Sequence, residues 1–158
     1  RVGVTIDRHH PPPAPPIKRG ESLNGGAMTT ITIDSHQTVE LIDMTNQVRT
    51  AIRGSGISDG LAVVYTPHTT AAVTINENAD PDVARDLVMA LNKLVPFTDN
   101  YRHAEGNSAA HVKSSLVGAS ETLIVQGGVP VLGTWQGIYF CEFDGPRRRQ
   151  VHIKVIGA

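Results

Sequence analysis

Residues 61–96 read LAVVYTPHTTAAVTINENADPDVARDLVMALNKLVP, and this stretch decides the fold class. It predicts a buried strand over residues 61–66, a bend at Pro67-His68-Thr69-Thr70, and a second strand over residues 71–75. A helix is expected from Asp80, because Pro81 lacks an N–H that the first helical turn would leave unpaired anyway. Its apolar face repeats at helical spacing until Pro96 through Ala84, Leu87, Val88, Leu91 and Val95.

Outward from this stretch, strands and helices continue to alternate. Residues 29–34 and 38–42 are rich in β-branched side chains and predict a β-hairpin. A helix is expected to follow Asp43 and to end at Gly54, and a short one over residues 108–118. Further strands are predicted over residues 121–125, 138–143 and 150–156. The sequence therefore predicts one compact α+β domain, with a mixed or antiparallel sheet and two to three helices.

Residues 1–28 differ in composition from the rest of the chain. They hold prolines 11–13, 15 and 16 and four glycines, with almost no apolar periodicity. Such a stretch buries too little surface to offset the entropy of ordering it. We predict a disordered leader or cloning remnant before Thr29, with a Pro-rich partner-binding arm as the alternative. The folded domain is expected over residues 29–158.

Composition excludes several classes of protein. Fourteen Lys and Arg residues against 15 Asp and Glu give a net charge of −1, without the basic excess of a nucleic-acid binder. No apolar run approaches the ~18 residues of a membrane span. The single cysteine, Cys141, permits no internal disulfide and fits a reducing, cytoplasmic setting.

Three histidines occur in polar motifs beside apolar strands: His68, His103 and His111. Neutral imidazole is the commonest metal ligand, so these residues predict a divalent metal site, for Zn²⁺ or Mg²⁺. Their spacing is not a local metal motif, and a structural hydrogen-bond network is the alternative. His36 and His152 lie outside these motifs.

The segment Glu142-Phe143-Asp144-Gly145-Pro146-Arg147-Arg148-Arg149 gathers charges at a strand end. Alternation puts both carboxylates on one face about 7 Å apart, as metal ligand and general base or as ligands for Mg²⁺. The alternative is ion pairing of these carboxylates with Arg147 and Arg148. Arg147 and Arg148 are also the predicted phosphate contacts, although Arg148 faces opposite to its two neighbours in an extended chain.

Trp135-Gln136 follows a glycine-rich turn. Trp135 is predicted to stack on a heterocycle, with Gln136 a catalytic candidate that hydrogen-bonds the ring nitrogens. The alternative for Trp135 is a plug in the core or at a subunit interface. Thr69 and Asn107 are predicted substrate contacts, or else residues that cap turns.

Three motifs together resemble the YjbQ-like protein family: PHTTAAVTINENADPDV, EGNSAAHVKSSLVG and GTWQGIYFCEFDGPRRR. The resemblance runs in order from about residue 30 to residue 157. It implies a compact α+β protomer, a homotrimer, and a site built from the polar loops. It also implies a weak, secondary thiamine-phosphate synthase activity.

The first functional expectation is therefore a metal-dependent enzyme acting on a small phosphorylated metabolite, in the manner of a thiamine-phosphate synthase. A metal-assisted hydrolase, in which the ion lowers the pKa of its bound water, is the second. A non-catalytic trimer that binds a metal or ligand is the third. Neither nucleic acid nor membrane is an expected partner.

Overall fold

The computed structural model describes residues 27–158, so all but the last two residues of the predicted leader lie outside the described residues. Eight strands and three helices follow in this order: β1 (Thr29–Asp34), β2 (Glu40–Asp43), α1 (Thr45–Gly54), β3 (Gly60–Tyr65), β4 (Ala71–Glu77), α2 (Pro81–Leu94), α3 (Ser108–Val117), β5 (Ser120–Gln126), β6 (Val129–Pro130), β7 (Gln136–Glu142) and β8 (Arg148–Gly157).

These strands form two sheets, one of five strands in the order β1-β8-β3-β5-β6 and one of three in the order β2-β7-β4. Every strand pair is antiparallel. The predicted α+β domain is confirmed. The sequence left a mixed or an antiparallel sheet open, and both sheets are antiparallel. The helix predicted from Asp80 is present as α2, and Asp80 is its N-cap, since the Asp80 side chain accepts a hydrogen bond from the Asp82 N–H at 2.9 Å.

The predicted hairpin between the first two strands is wrong. β1 pairs with β8 in the five-stranded sheet, whereas β2 pairs with β7 in the three-stranded sheet. The bend between β1 and β2 instead bonds to the bend between β7 and β8, through Ser35 N–H to the Arg147 carbonyl and Gly145 N–H to the Thr38 carbonyl. The two segments form one antiparallel ribbon that turns from one sheet into the other. A Cβ at Gly145 would lie 2.3 Å from the Gln37 carbonyl oxygen, so this corner requires glycine.

The main core lies between the inner faces of the two sheets and α1. Its fully buried members include Met44, Ile52, Val64, Phe140 and Ile153. A smaller cluster around Phe143 and Ala110 joins the other face of the three-stranded sheet to α2 and α3. None of the helices in residues 27–158 is long and apolar enough to cross a membrane.

One face of the five-stranded sheet has no cover within the described residues, and it carries a row of large apolar side chains. Leu61 is paired in register with Ile124 on one side and Ile156 on the other. These three residues are 46%, 62% and 47% exposed, and we call them the outer apolar row. An apolar row of this kind on an open sheet face is typical of a surface that another molecule covers.

Candidate functional site

The corner between the two sheets is built around a buried ion pair between Glu142 and Arg149. Arg149 donates from Nε to Glu142 Oε2 at 2.8 Å and from Nη2 to Oε1 at 2.6 Å. The carboxylate also accepts from the Ser35 hydroxyl and from the N–H groups of Phe143 and Asp144. Burial raises the pKa of Glu142, but the Arg149 and Asp144 hydrogen bonds and the Arg149 charge outweigh it, so the pKa is lowered.

This pair corrects the partner that the sequence suggested for Glu142, which was Arg147 or Arg148. Glu142 follows Ile138 and Phe140 on the inward side of β7, and Arg149 precedes Val151 and Ile153 on the inward side of β8. Alternation thus turns both side chains into the same space. With five donors bound, the Glu142 carboxylate serves to hold the corner together.

Arg147 and Arg148, the predicted phosphate contacts, bind carboxylates in different places. Arg147 donates from Nη2 to Asp144 Oδ2 at 2.9 Å, which is the ion pair that the sequence left as the alternative for Asp144. Arg148 points outward and lies 3.3 Å from Asp34 across the β1–β8 register. Asp144 Oδ2 also accepts from Asn107 Nδ2, and Asn107 Oδ1 is buried without a partner among the described residues.

His68 is fixed at the bend between β3 and β4. Its Nε2 accepts a hydrogen bond from the Gln150 N–H at 2.8 Å, while the neighbouring Thr70 hydroxyl accepts from Arg149. Partial burial and then the Arg149 charge lower the pKa of His68 below 6.5. Because Nε2 accepts the Gln150 N–H, the proton of the neutral ring lies on Nδ1. Thr69, between these two residues, is exposed.

His111, in the first turn of α3, separates two adjoining cavities, and we call the pair the α3 cleft. The first, of about 590 Å³, is lined by Tyr101, His103, Glu105, Ser108, His111 and Val112. The second, of about 420 Å³, is lined by the 65–69 bend with His68 and Thr69, by His111, Ser114 and Ser115, and by residues 118–119. The His103 and His111 rings meet edge to face, with centroids 5.5 Å apart.

The α3 cleft brings the three predicted histidines to one region without forming a metal cluster. No group of three His, Cys, Asp or Glu side chains in residues 27–158 of one chain has the arrangement of a metal site. His68 also presents an N–H at Nδ1, where a metal requires a lone pair. Within one chain these residues do not fit a shared ion.

Trp135 and Gln136 lie away from the α3 cleft. Gln136 begins β7 and Glu142 ends it, and six residue steps along a strand span roughly 20 Å. Gln136 Oε1 accepts from the Gly133 N–H at 2.8 Å, and Trp135 is 62% exposed. The residues predicted to form a single site are therefore divided between the two ends of β7.

Lys113 is a buried polar residue that the sequence analysis missed. Its side chain is fully buried, its Nζ donates to Asn92 Oδ1 at 2.7 Å and lies 3.9 Å from the centre of the Phe97 ring. Burial lowers the pKa of this ammonium group. Helical spacing from Ala109 and Ala110 puts Lys113 on the buried face of α3, so the periodicity of the helix contained the signal.

Comparison with known proteins agrees with this architecture. The family described as UPF0047 protein YjbQ-like matches residues 29–158. The chain belongs to the YjbQ-like UPF0047 family. Among its relatives, UPF0047 protein MJ1081 of Methanocaldococcus jannaschii is 55% identical over 125 residues, covering 79% of this chain and 91% of that protein. YugU of Bacillus subtilis is 51% identical over 131 residues, covering 82% and 99%.

Solved structures of YjbQ-like proteins share the fold. A YjbQ/UPF0047 family protein of Clostridium acetobutylicum has a TM-score of 0.80 at 53% identity, covering 81% of this chain and 99% of its own. A protein of Sulfolobus solfataricus, described as YbjQ-like and of unknown function, has a TM-score of 0.81 at 29% identity, covering 84% and 97%. The two-sheet architecture is thus a property of the YjbQ-like family.

Proposed function

We propose that the α3 cleft binds a small phosphorylated heterocyclic metabolite and catalyses group transfer on it. The observation that carries the proposal is the position of His111, which forms a wall of both cavities. On one side, Tyr101 and Val112 supply aromatic and apolar surface for a ring. On the other, His68, Thr69 and Ser115 supply polar groups for an anion.

Thiamine-phosphate synthesis is the reaction that the family resemblance suggests for this cleft. In it, the bond from a pyrimidine methylene carbon to a diphosphate oxygen breaks, and the thiazole nitrogen forms a C–N bond to that carbon. Pyrophosphate leaves with the electron pair. Hydrogen-bond donors fixed around the leaving group lower the barrier, because they stabilise the charge that develops there. His68 Nδ1–H and the Thr69 hydroxyl are the donors we assign to this role.

The metal dependence expected from the sequence stays a prediction. Metal-assisted hydrolysis would require an ion in the same cleft. Because the three histidines do not fit a shared ion within one chain, such an ion would need ligands from more than one subunit. Elemental analysis of the purified protein tests this, with His103→Ala and His111→Ala as the variants that should lose bound metal.

We further propose that the protein works as a homotrimer in the cytoplasm. The outer apolar row supports subunit contact, because a second subunit would remove three large exposed side chains from water. Cys141 is buried, and burial and the nearby charge of Glu121 raise its pKa to about 12, so the thiol stays protonated. A single cysteine, which has no second cysteine in the chain to pair with, accords with a reducing compartment.

His111→Ala should weaken binding of a thiazole phosphate by ~10-fold or more, because it removes the side chain that lines both cavities together with any hydrogen bond that this ring gives the ligand. Thermal shift and pyrophosphate release, measured with thiamine precursors, report binding and turnover separately. His36→Ala is the matched control, since His36 is exposed and lies outside the cleft.

Binding without pyrophosphate release would favour a non-catalytic, ligand-binding trimer over a synthase. Release of inorganic phosphate from simple esters would favour the hydrolase. If His111→Ala binds the precursor as well as the His36→Ala control does, the cleft is not the site.

A further inference from the structure

A second polar cavity, of about 400 Å³, lies at the opposite end of the protomer core from the corner and its ion pair. We call it the α1 cavity, because residues of α1 form one wall. Its lining includes the side chains of Asp43, Arg49, Asn78 and Gln136. None of them lines the α3 cleft, so this cavity is independent of the function proposed above.

Hydrogen bonds hold one wall of the α1 cavity in place. Asp43 accepts from the Thr45 N–H and hydroxyl through Oδ1 and from Asn78 Nδ2, at 3.1 Å, through Oδ2. A carboxylate has about four acceptor positions, so one remains for a ligand. Asn78 in turn lies against Gly137, where a Cβ would come within 2.3 Å of the Asn78 amide nitrogen. Glycine at this position is what allows the Asn78 amide to form the wall.

Arg49 supplies the positive charge of the cavity. It forms no hydrogen bond or ion pair with any residue in the described part of the chain, and it does not pair with Asp43 although both line this cavity. By contrast, the three consecutive arginines at residues 147–149 all have carboxylate partners. An arginine fork beside an open cavity matches the oxygens of a carboxylate or phosphate.

We infer that the α1 cavity binds a small anion that also carries a hydroxyl or ammonium group. The anionic group lies on Arg49, and the hydroxyl or ammonium group donates to the remaining acceptor position of Asp43. Gln136 contributes its amide N–H groups, because its Oε1 is already bound to the Gly133 N–H. An uncharged polyol of the same size lacks the group that Arg49 recognises.

Trp135 makes this inference testable, because it is the single tryptophan of the chain and directly precedes Gln136. We would titrate the protein with glycerol 3-phosphate, L-serine and glycerol while recording tryptophan emission. A saturable change with a charged probe, and none with glycerol, is expected. A response to glycerol 3-phosphate identifies a phosphate ester as the ligand, and a response to serine identifies a zwitterion.

Arg49→Gln should raise the dissociation constant ~10-fold or more. Arg53→Gln is the matched control, since Arg53 lies one turn further along α1, is exposed and is not part of the cavity. His111→Ala should leave the response unchanged, which separates this site from the α3 cleft. The inference is overturned if neither charged probe gives a saturable change, or if Arg49→Gln and Arg53→Gln bind equally well.

Discussion

Replacing Glu142 by Gln is expected to lower the free energy of unfolding by about 3–5 kcal/mol, the usual cost of leaving one partner of a buried ion pair uncompensated. Arg149 is buried, and its Nε and one terminal nitrogen both bind the Glu142 carboxylate. Glutamine has the same size but presents an amide nitrogen where one carboxylate oxygen accepted hydrogen bonds. Denaturant unfolding followed by circular dichroism measures the loss.

Asp34→Asn provides the matched control. It breaks the exposed ion pair between Asp34 and Arg148, the neighbour of Arg149 on β8, and should cost less than about 1 kcal/mol. Equal losses in the two variants would show that the corner does not depend on the buried pair.

The ion pair between Glu142 and Arg149 also makes the free energy of unfolding depend on pH in the acid range. The pKa of Glu142 is lowered from 4.5 in the folded state, so the stability that this carboxylate contributes is complete above pH 4.5. It is lost as the pH falls further, through the lower folded-state pKa, because the unfolded chain then binds the proton more readily. Stability of the Glu142→Gln variant should therefore depend less on pH in this range. An unchanged acid slope would contradict the lowered pKa.

Leu61→Glu is expected to dissociate the proposed homotrimer. Leu61 occupies the middle of the outer apolar row, between Ile124 and Ile156, and three buried carboxylates would be introduced at once in a closed assembly. Light scattering should give three times the 16.9 kDa protomer mass for the unmodified protein and the protomer mass for the variant.

Met89→Glu is the control for Leu61→Glu, because Met89 is also an exposed apolar residue but lies on α2, outside the row. It should keep the trimer mass. A protomer mass for the unmodified protein at micromolar concentration would refute the homotrimer, and dissociation by Met89→Glu alone would place the interface on α2.

Local pattern predicted most elements, because periodicity and caps are properties of adjacent residues. The strand over residues 61–66, the helix from Asp80 and the short helix over residues 108–118 all lie within two residues of their predicted limits. The pairing of strands was harder to predict from local sequence pattern. The first two strands read as a hairpin, and only the register with β7 and β8, about a hundred residues away, divides them between two sheets.

The predicted site residues were only partly placed correctly for the same reason, because their contacts join residues that are distant in sequence. Alternation along β8 separated Arg148 from Arg149, but it could not show that Arg149 meets Glu142, because that contact depends on how β7 and β8 come together. Trp135 and Gln136 belong to a motif continuous with Glu142, so sequence proximity suggested one site where an extended strand keeps its ends apart. His68 and His111 show the opposite effect, since 43 positions separate two side chains that line one cavity.

The central claim is that the α3 cleft is the binding site for a phosphorylated heterocycle. Titration of ¹⁵N-labelled protein with thiazole phosphate, followed by amide chemical shifts, tests it most directly. We expect saturable shifts at His68, Thr69, His111 and Ser115, and no comparable shifts at Asn78 or Gln136. Shifts confined to the α1 cavity, or no saturable shift anywhere in residues 27–158 at millimolar concentration, would contradict the claim.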